Sequence, residues 1–333
     1  MIHQKFEMVF WRRAHHIGAM SAESAASAAT KPETPDNSAS RGLLFALSAY
    51  GLWGVMPLFL KLVDHIPAVE VVAHRIIWSV PIAGAVLLAL GRTSDIKAAL
   101  RSPRTLALAA LTASLITVNW GIYVWAIAVD RTVEAALGYY INPLMSIAMG
   151  AALLGEKLSP VQVAAVGLAI VAVGVLTVEA GGLPWVSLAL ASTFAVYGFL
   201  RKTLPIGPSQ GFFLEVLLLT VPSLAYLVWL SVGGEGHFVP SQPENMVLLV
   251  LCGPATAVPL ILFGFGAKLL RYSTIGIMQY ISPTIVFLIA VFVFREPLGA
   301  SRMIAFALIW AALALYSWSM FSRRAQSRPP PIN

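Results

Sequence analysis

Charge is the first thing this chain lacks. Only 11% of its 333 residues are Asp, Glu, Lys or Arg, where soluble domains carry about 25%. With 58% hydrophobic residues, a water-soluble core cannot hide the apolar surface, so lipid must solvate part of it. Cysteine is nearly absent: Cys252 stands alone, which excludes an internal disulfide and a multi-cysteine metal site. Of the six histidines only His74 falls inside an apolar run, too few for a histidine metal cluster. No Walker loop, Rossmann glycine pattern, nucleophile elbow or His/Glu zinc motif occurs. Nothing therefore points to ATP hydrolysis in this chain, no cofactor is expected, and the chain is not expected to be an enzyme.

What is present is a series of long apolar runs. Stretches of about 18 or more such residues read as membrane-spanning helices. Ten occur, at roughly 42–60, 69–90, 105–128, 132–154, 160–178, 183–200, 209–231, 245–266, 272–294 and 300–320. None alternates polar with apolar, as the strands of a membrane β-barrel would. The expected fold is an all-α integral membrane protein of ten transmembrane helices. Residues 1–40 include the low-complexity stretch "SAESAASAATKPETPDNSAS" and are expected to be a disordered N-terminal tail. The segment before that stretch suits either an interfacial helix or an early gene start, with Met1 and Met20 both open as the initiating residue.

The net charge of +7 matters less than its placement, and nucleic acid is not an expected partner. With the N-terminus in the cytoplasm, the inner side holds the tail cations up to Arg41 and Arg92, Lys97, Arg101 and Arg104. It also holds Lys157, Arg201, Lys202, Lys268, Arg271 and the C-terminal arginines, 17 of the 22 Lys and Arg in all. The outer side holds only Lys61, Arg131, Arg295 and Arg302. This positive-inside bias places both termini in the cytoplasm.

"LGYYINPLMS" (137–146) carries an asparagine and a proline near the middle of the fourth run, and "MQYISPTIVF" (278–287) does something similar in the ninth. At a constant offset of 140, Arg131, Tyr140, Ile141, Pro143, Glu156 and Leu158 match Arg271, Tyr280, Ile281, Pro283, Glu296 and Leu298. Ser48, Trp53 and Gly54 correspond weakly to Ser192, Tyr197 and Gly198 at an offset of 144. The division expected is two five-helix repeats, 41–180 and 181–322, followed by a cytoplasmic tail from 323 to 333. Five is odd, so the halves enter the membrane from opposite sides, an inverted-topology repeat with its substrate site between halves near the midplane. Pro143 and Pro283 then read as paired helix kinks. Each frees a carbonyl that must be satisfied within the protein, with Asn142 and Ser282 alongside. Prolines that merely bend their helices are the plainer reading.

Ionisable groups inside the runs are functional candidates. His74 and Arg75 lie about 8–10 Å below the outer edge by helical rise; snorkelling to that interface is the bland reading of Arg75. Glu215 lies a similar depth from the inner side, as the approximate repeat counterpart of Arg75. Glu134 suits the first turn of its helix. Glu70 and Glu179 are expected at solvated interfaces, and Glu156 and Glu296 in turns. Asn119, Trp120, Tyr123 and Trp125 cluster in the outer half of the third run, with Tyr123 one turn from Asn119 on the same face. Trp125 reads as an interfacial anchor. With Trp53, Trp78, Tyr139, Tyr140, Tyr197, Gln279 and Tyr280, the halves have the means to line a pocket of aromatic faces and polar tips. Such a pocket suits uncharged or amphiphilic organic solutes, and its rings suit an organic cation. If transport is active, Glu134, Glu215 and His74 are the proton candidates.

"AYGLWG", "HRIIWS", "NWGIYVWA", "EAALGYYINPL", "YGFLRK", "TAVPLILF" and "STIGIMQYISPTIVFLIAVF" together resemble the RarD branch of the EamA-type transporters, in the drug/metabolite transporter superfamily. The resemblance spans about residues 41–322. It implies ten helices in two EamA-type repeats, a bacterial inner-membrane location and a permease role, with export as the expected direction. The branch name is linked to chloramphenicol sensitivity, which does not establish a substrate. The partners this implies are a small-molecule substrate, the bilayer and, for active transport, protons; a homodimer is left open. The competing class is a non-transporting membrane sensor or assembly subunit, against which stands the lack of any soluble output domain between the tails.

Overall fold

The computed structural model describes residues 37–91, 93–154, 158–180, 183–270, 274–275 and 278–326. The expectations for residues 1–36, Glu156, the Glu179 side chain, Arg271 and residues 327–333 lie outside the described residues. The helices are α1 (Asn37–Lys61), α2 (Ala68–Ala89), α3 (Pro103–Ala128), α4 (Thr132–Leu154), α5 (Pro160–Ala180), α6 (Trp185–Thr203), α7 (Pro208–Gly233), α8 (Pro243–Leu269), α9 (Ile281–Leu288) and α10 (Ala300–Gln326). A short helix, Ser94–Leu100, links α2 to α3. No strand occurs among the described residues. Helix α1 begins at Asn37, four residues inside the stretch expected to be disordered, and α10 runs four residues beyond the expected boundary at 322.

Local chemistry sets the helix ends. Proline opens α3, α5, α7 and α8, where its missing N–H costs nothing and its fixed φ already suits a helix. Ser102 accepts the amide of Thr105. Ser159 and Gln162 form a reciprocal capping box before α5, each side chain bonded to the other's backbone N–H. Helix α7 stops at Gly234, whose φ of 72° is a left-handed cap that glycine adopts without a Cβ clash.

Seven of these helices are long and apolar enough to cross a membrane: α1, α2, α3, α5, α7, α8 and α10. Two shorter apolar stretches, Trp185–Arg201 and Ile281–Val293, accompany them. Helix α4 spans 23 residues and carries Tyr139, Tyr140, Asn142 and Pro143 within it. Large apolar side chains such as Val221, Trp229, Val232 and Phe292 point outward. An exposed apolar surface on this scale is a lipid-facing one.

Close helix crossings depend on missing side chains. A Cβ on Gly138 of α4 would lie 2.8 Å from the Ser187 carbonyl of α6, and one on Gly253 of α8 would collide with the Trp78 carbonyl of α2. Backbones approach this closely in membrane bundles only where residues are small. Helix α2 is packed between α7 and α8, α3 and α4 both pack on α6, and α5 packs on α10.

The two paired prolines sit differently in their helices. Pro143 lies inside continuous α4, but Pro283 sits in the first turn of α9, after a turn at Gln279–Tyr280. Helical hydrogen bonding is interrupted there, while Gln279 still donates to the Ile275 carbonyl and Tyr280 keeps a helical φ and ψ. Proline disfavours helical geometry in the residue before it and supplies no N–H for the carbonyl four residues back. Just beyond, Ile289–Val293 widens into a π-helical turn, and Arg295 follows with a left-handed φ of 55°.

Candidate functional site

The buried face of α2 carries Glu70, His74, Arg75 and Ser79. Arg75 is 6% exposed, so it does not snorkel; the bundle interior takes it. Its Nε donates to Thr256 Oγ1 of α8 at 3.0 Å. The Thr256 hydroxyl donates to the Cys252 carbonyl at 2.8 Å, which leaves an oxygen lone pair for the arginine. The guanidinium lies 5.0 Å from the centre of the Trp120 ring on α3, a cation–π contact strengthened by desolvation. Its Nη1 is buried without a hydrogen-bond partner.

Asn119, one residue before Trp120, uses its whole amide. Its Nδ2 donates to the Leu190 carbonyl at 3.0 Å and to Thr193 Oγ1 at 2.9 Å, both on α6. Its Oδ1 accepts the Tyr139 hydroxyl of α4 at 3.1 Å. The Tyr123 ring meets Tyr139 edge-on at 5.5 Å. One cluster thus draws on α2, α3, α4, α6 and α8, with a fixed cation, aromatic faces and hydroxyl groups. An asparagine with three satisfied bonds is a positioning residue, and it holds Tyr139 beside the Arg75 neighbourhood.

Two other expected residues form a neighbouring pair. Trp78 Nε1 donates to His74 Nδ1 at 3.2 Å. Because indole only donates, the neutral His74 carries its proton on Nε2, which has no partner. Phe238 lies over the imidazole at 5.0 Å.

Glu215 is 2% exposed and its partner is not Arg75. Arg201, in the last turn of α6, reaches it at 3.5 Å. Thr112 of α3 and Tyr197 of α6 donate to its two oxygens at 2.8 and 3.3 Å. Gly211, one turn earlier on α7, has no side chain to block the guanidinium that lies against it. Glu215 therefore sits in a local network on α3, α6 and α7, in which Arg201 folds back from the end of α6 onto α7. Arg201 and Thr112 escaped notice in the sequence. Arg201 stands at a helix end and reads as a solvated cytoplasmic charge.

The remaining acids are also engaged. Glu70, expected at a solvated interface, is 1% exposed and takes the His237 amide and Nδ1 at 2.7 and 2.8 Å. It stabilises a loop that the sequence leaves unconnected to α2. Glu134 forms a two-pronged bond to Arg131 at 2.7 and 2.8 Å, with Arg302 at 3.9 Å. Glu296 accepts the amides of Thr132 and Val133 at 2.7 and 2.8 Å, capping α4 from 164 and 163 positions away rather than shaping its own turn. Trp125 stacks on Trp185 at 5.2 Å with Arg131 against both rings.

Tyr140 and Tyr280 do not join the Arg75 cluster. Both pack with the Phe306-containing core beside α10, and the Tyr140 hydroxyl pairs with Thr284 at 2.6 Å. Asn142 is half-buried with Oδ1 unpartnered, and Gln279 sits in the turn before α9.

Residues 40–178 match the EamA-like transporter family. The chain is 43% identical to Protein RarD of Streptomyces exfoliatus over 293 residues, 88% of this chain and 93% of that protein. It is 39% identical to an uncharacterized transporter of Vibrio cholerae, covering 85% and 94%. It is 37% identical to Protein RarD of Escherichia coli, covering 86% and 98%. Its fold is similar to that of a solved crystal structure at a TM-score of 0.55 and 22% identity, covering 86% of this chain and 99% of that one; this likeness concerns the fold alone. The run of apolar helices and the relatives that match it nearly end to end make this chain a multi-pass membrane protein of the EamA-like transporter family, in its RarD branch.

Proposed function

We propose that the protein is a secondary permease that moves small organic solutes across the bacterial inner membrane, in the export direction, by alternating access between two inverted halves of five helices. The observation that carries this reading is the Arg75 cluster. It joins α2, α3 and α4 of the first half to α6 and α8 of the second, the place where an inverted repeat holds its substrate. The packing supports the two halves. Adding or subtracting five turns the α2–α8 contact into α7–α3, and both occur. It turns α3–α6 and α4–α6 into α8–α1 and α9–α1. The α3–α6 and α4–α6 contacts are present, and the counterparts appear as Gly266 against Ala46 and Gly54 against Ile285. The α2–α7 and α5–α10 contacts map onto themselves.

In this reading the Glu215–Arg201 network ties the cytoplasmic ends of α6 and α7. The Glu70–His237 and Lys61–Asp130 links tie the outer loops. Access on either side requires one set to part. An enzyme or a sensor would need a reacting group or an output surface, and Glu70, Glu134, Glu215 and Glu296 are each engaged by partners within the protein.

The test is flux. Purified full-length protein in proteoliposomes, preloaded with a mixture of small cellular metabolites, is expected to release and exchange specific members, read by mass spectrometry. The same efflux from protein-free and protein-containing vesicles would refute transport. Topology has its own check in a Cys252→Ala background. Ser241→Cys is expected to react with an impermeant thiol reagent in intact cells and Ser209→Cys to be shielded. The reverse pattern would place the termini outside.

A further inference from the structure

Resting on the permease reading, we infer that the Arg75 cluster selects an organic anion: a solute with a carboxylate or sulfonate that pairs with Arg75 and an apolar ring that lies among Trp120, Tyr123 and Tyr139. Charge separates Arg75 from the other ionisable groups. Glu215 is taken by Arg201, Glu134 by Arg131 and Arg302, Glu70 by His237, and Glu296 by two backbone amides. Among the described residues no acid lies within ion-pair distance of Arg75. Its other polar neighbours are the Cys252 thiol and the Tyr139 and Tyr123 hydroxyls, together with the Thr256 hydroxyl.

A guanidinium buried in a low-dielectric interior without a counter-ion is costly. Arg75 is more than nine-tenths buried, keeps Nη1 unused, and is fixed by Thr256 through Nε alone. A planar fork with a free arm is the geometry that carboxylate recognition uses. The same arrangement argues against the organic cation that aromatic rings alone would suit. The face of Trp120 is already occupied by positive charge, and a second cation there would be repelled.

The test uses four single-ring probes of similar size: benzoate and benzenesulfonate as anions, benzamide as the neutral form, and phenyltrimethylammonium as the cation. Binding to the detergent-solubilised full chain is read by tryptophan fluorescence and by the shift in melting temperature. The expected result is that both anions bind at least tenfold more tightly than benzamide and that phenyltrimethylammonium does not compete. Arg75→Gln is expected to remove the preference at least tenfold, and Arg75→Lys to keep part of it. The wild-type comparison needs no variant, so a poorly folding Arg75→Gln leaves the test intact. Equal or tighter binding of benzamide or the cation, binding of neither anion, or an anion preference that survives in folded Arg75→Gln would each overturn the assignment. Proteoliposome exchange separates the two claims. Anion binding without any flux would sink the permease reading and spare the site. Flux of neutral solutes indifferent to Arg75→Gln would sink the site and spare the permease.

Discussion

Arg201→Gln is expected to destabilise the protein by about 3–5 kcal/mol, the range measured when one member of a buried ion pair is removed. Glu215 is the reason. It is 2% exposed, and without the guanidinium its carboxylate retains only the Thr112 and Tyr197 hydroxyls. Those bonds do not neutralise a charge in a membrane interior. Glu215→Gln should cost less, because Arg201 is 18% exposed on its side chain and is able to swing toward the cytoplasmic boundary. The double variant should therefore be more stable than Arg201→Gln alone, a coupling that a double-mutant cycle on melting temperature measures. Strict additivity of the two changes would show that the pair does not interact. If Glu215 instead serves as a proton site, Glu215→Gln should abolish pH-driven accumulation while exchange of solute persists in part.

The second large effect is expected at Glu296. Its two oxygens each take a backbone amide at the start of α4, and it is 5% exposed. Hydrogen bonds to a charged group contribute about 1.5–3 kcal/mol each, and the carboxylate also faces the positive end of the helix dipole. Glu296→Gln keeps the shape but turns one acceptor into an amide donor facing another donor. A loss of about 3 kcal/mol is expected, with hydrogen exchange rising first at Thr132 and Val133. Glu296→Asp retains charge but is shorter, and should fall between the two. Exchange at those amides unchanged in Glu296→Gln would show that the cap is not what holds the start of α4.

These two residues show where sequence reasoning reaches and where it stops. The apolar runs were legible because helix length and lipid thickness are matched, and α2, α3, α5, α7, α8 and α10 begin or end within a few residues of expectation. That Arg75, Asn119 and Tyr123 are buried agrees with the rule that a polar group within an apolar run needs a protein partner. Their partners were not legible. Thr256 is 181 positions from Arg75 and Glu296 is 164 from Thr132. Periodicity says which face a residue occupies and nothing about which helix lies opposite. The same limit misplaced Arg201, whose position at a helix end suggested solvent, and Glu70, whose loop partner His237 had no sequence signal. Pro283 lies just after an interruption at Gln279–Tyr280 and Pro143 lies within an unbroken α4, a difference that a proline's presence alone does not reveal.

The central claim is that solute reaches the Arg75 cluster from each side of the membrane in turn. Thr256→Cys in a Cys252→Ala background places a thiol where the hydroxyl now accepts from Arg75. Its reaction with the impermeant anionic reagent sulfonatoethyl methanethiosulfonate, measured in right-side-out and in inside-out vesicles, tests that claim directly. Modification from both faces, slowed by benzenesulfonate in each orientation, is the predicted result; modification from one face only, or from neither, would contradict it.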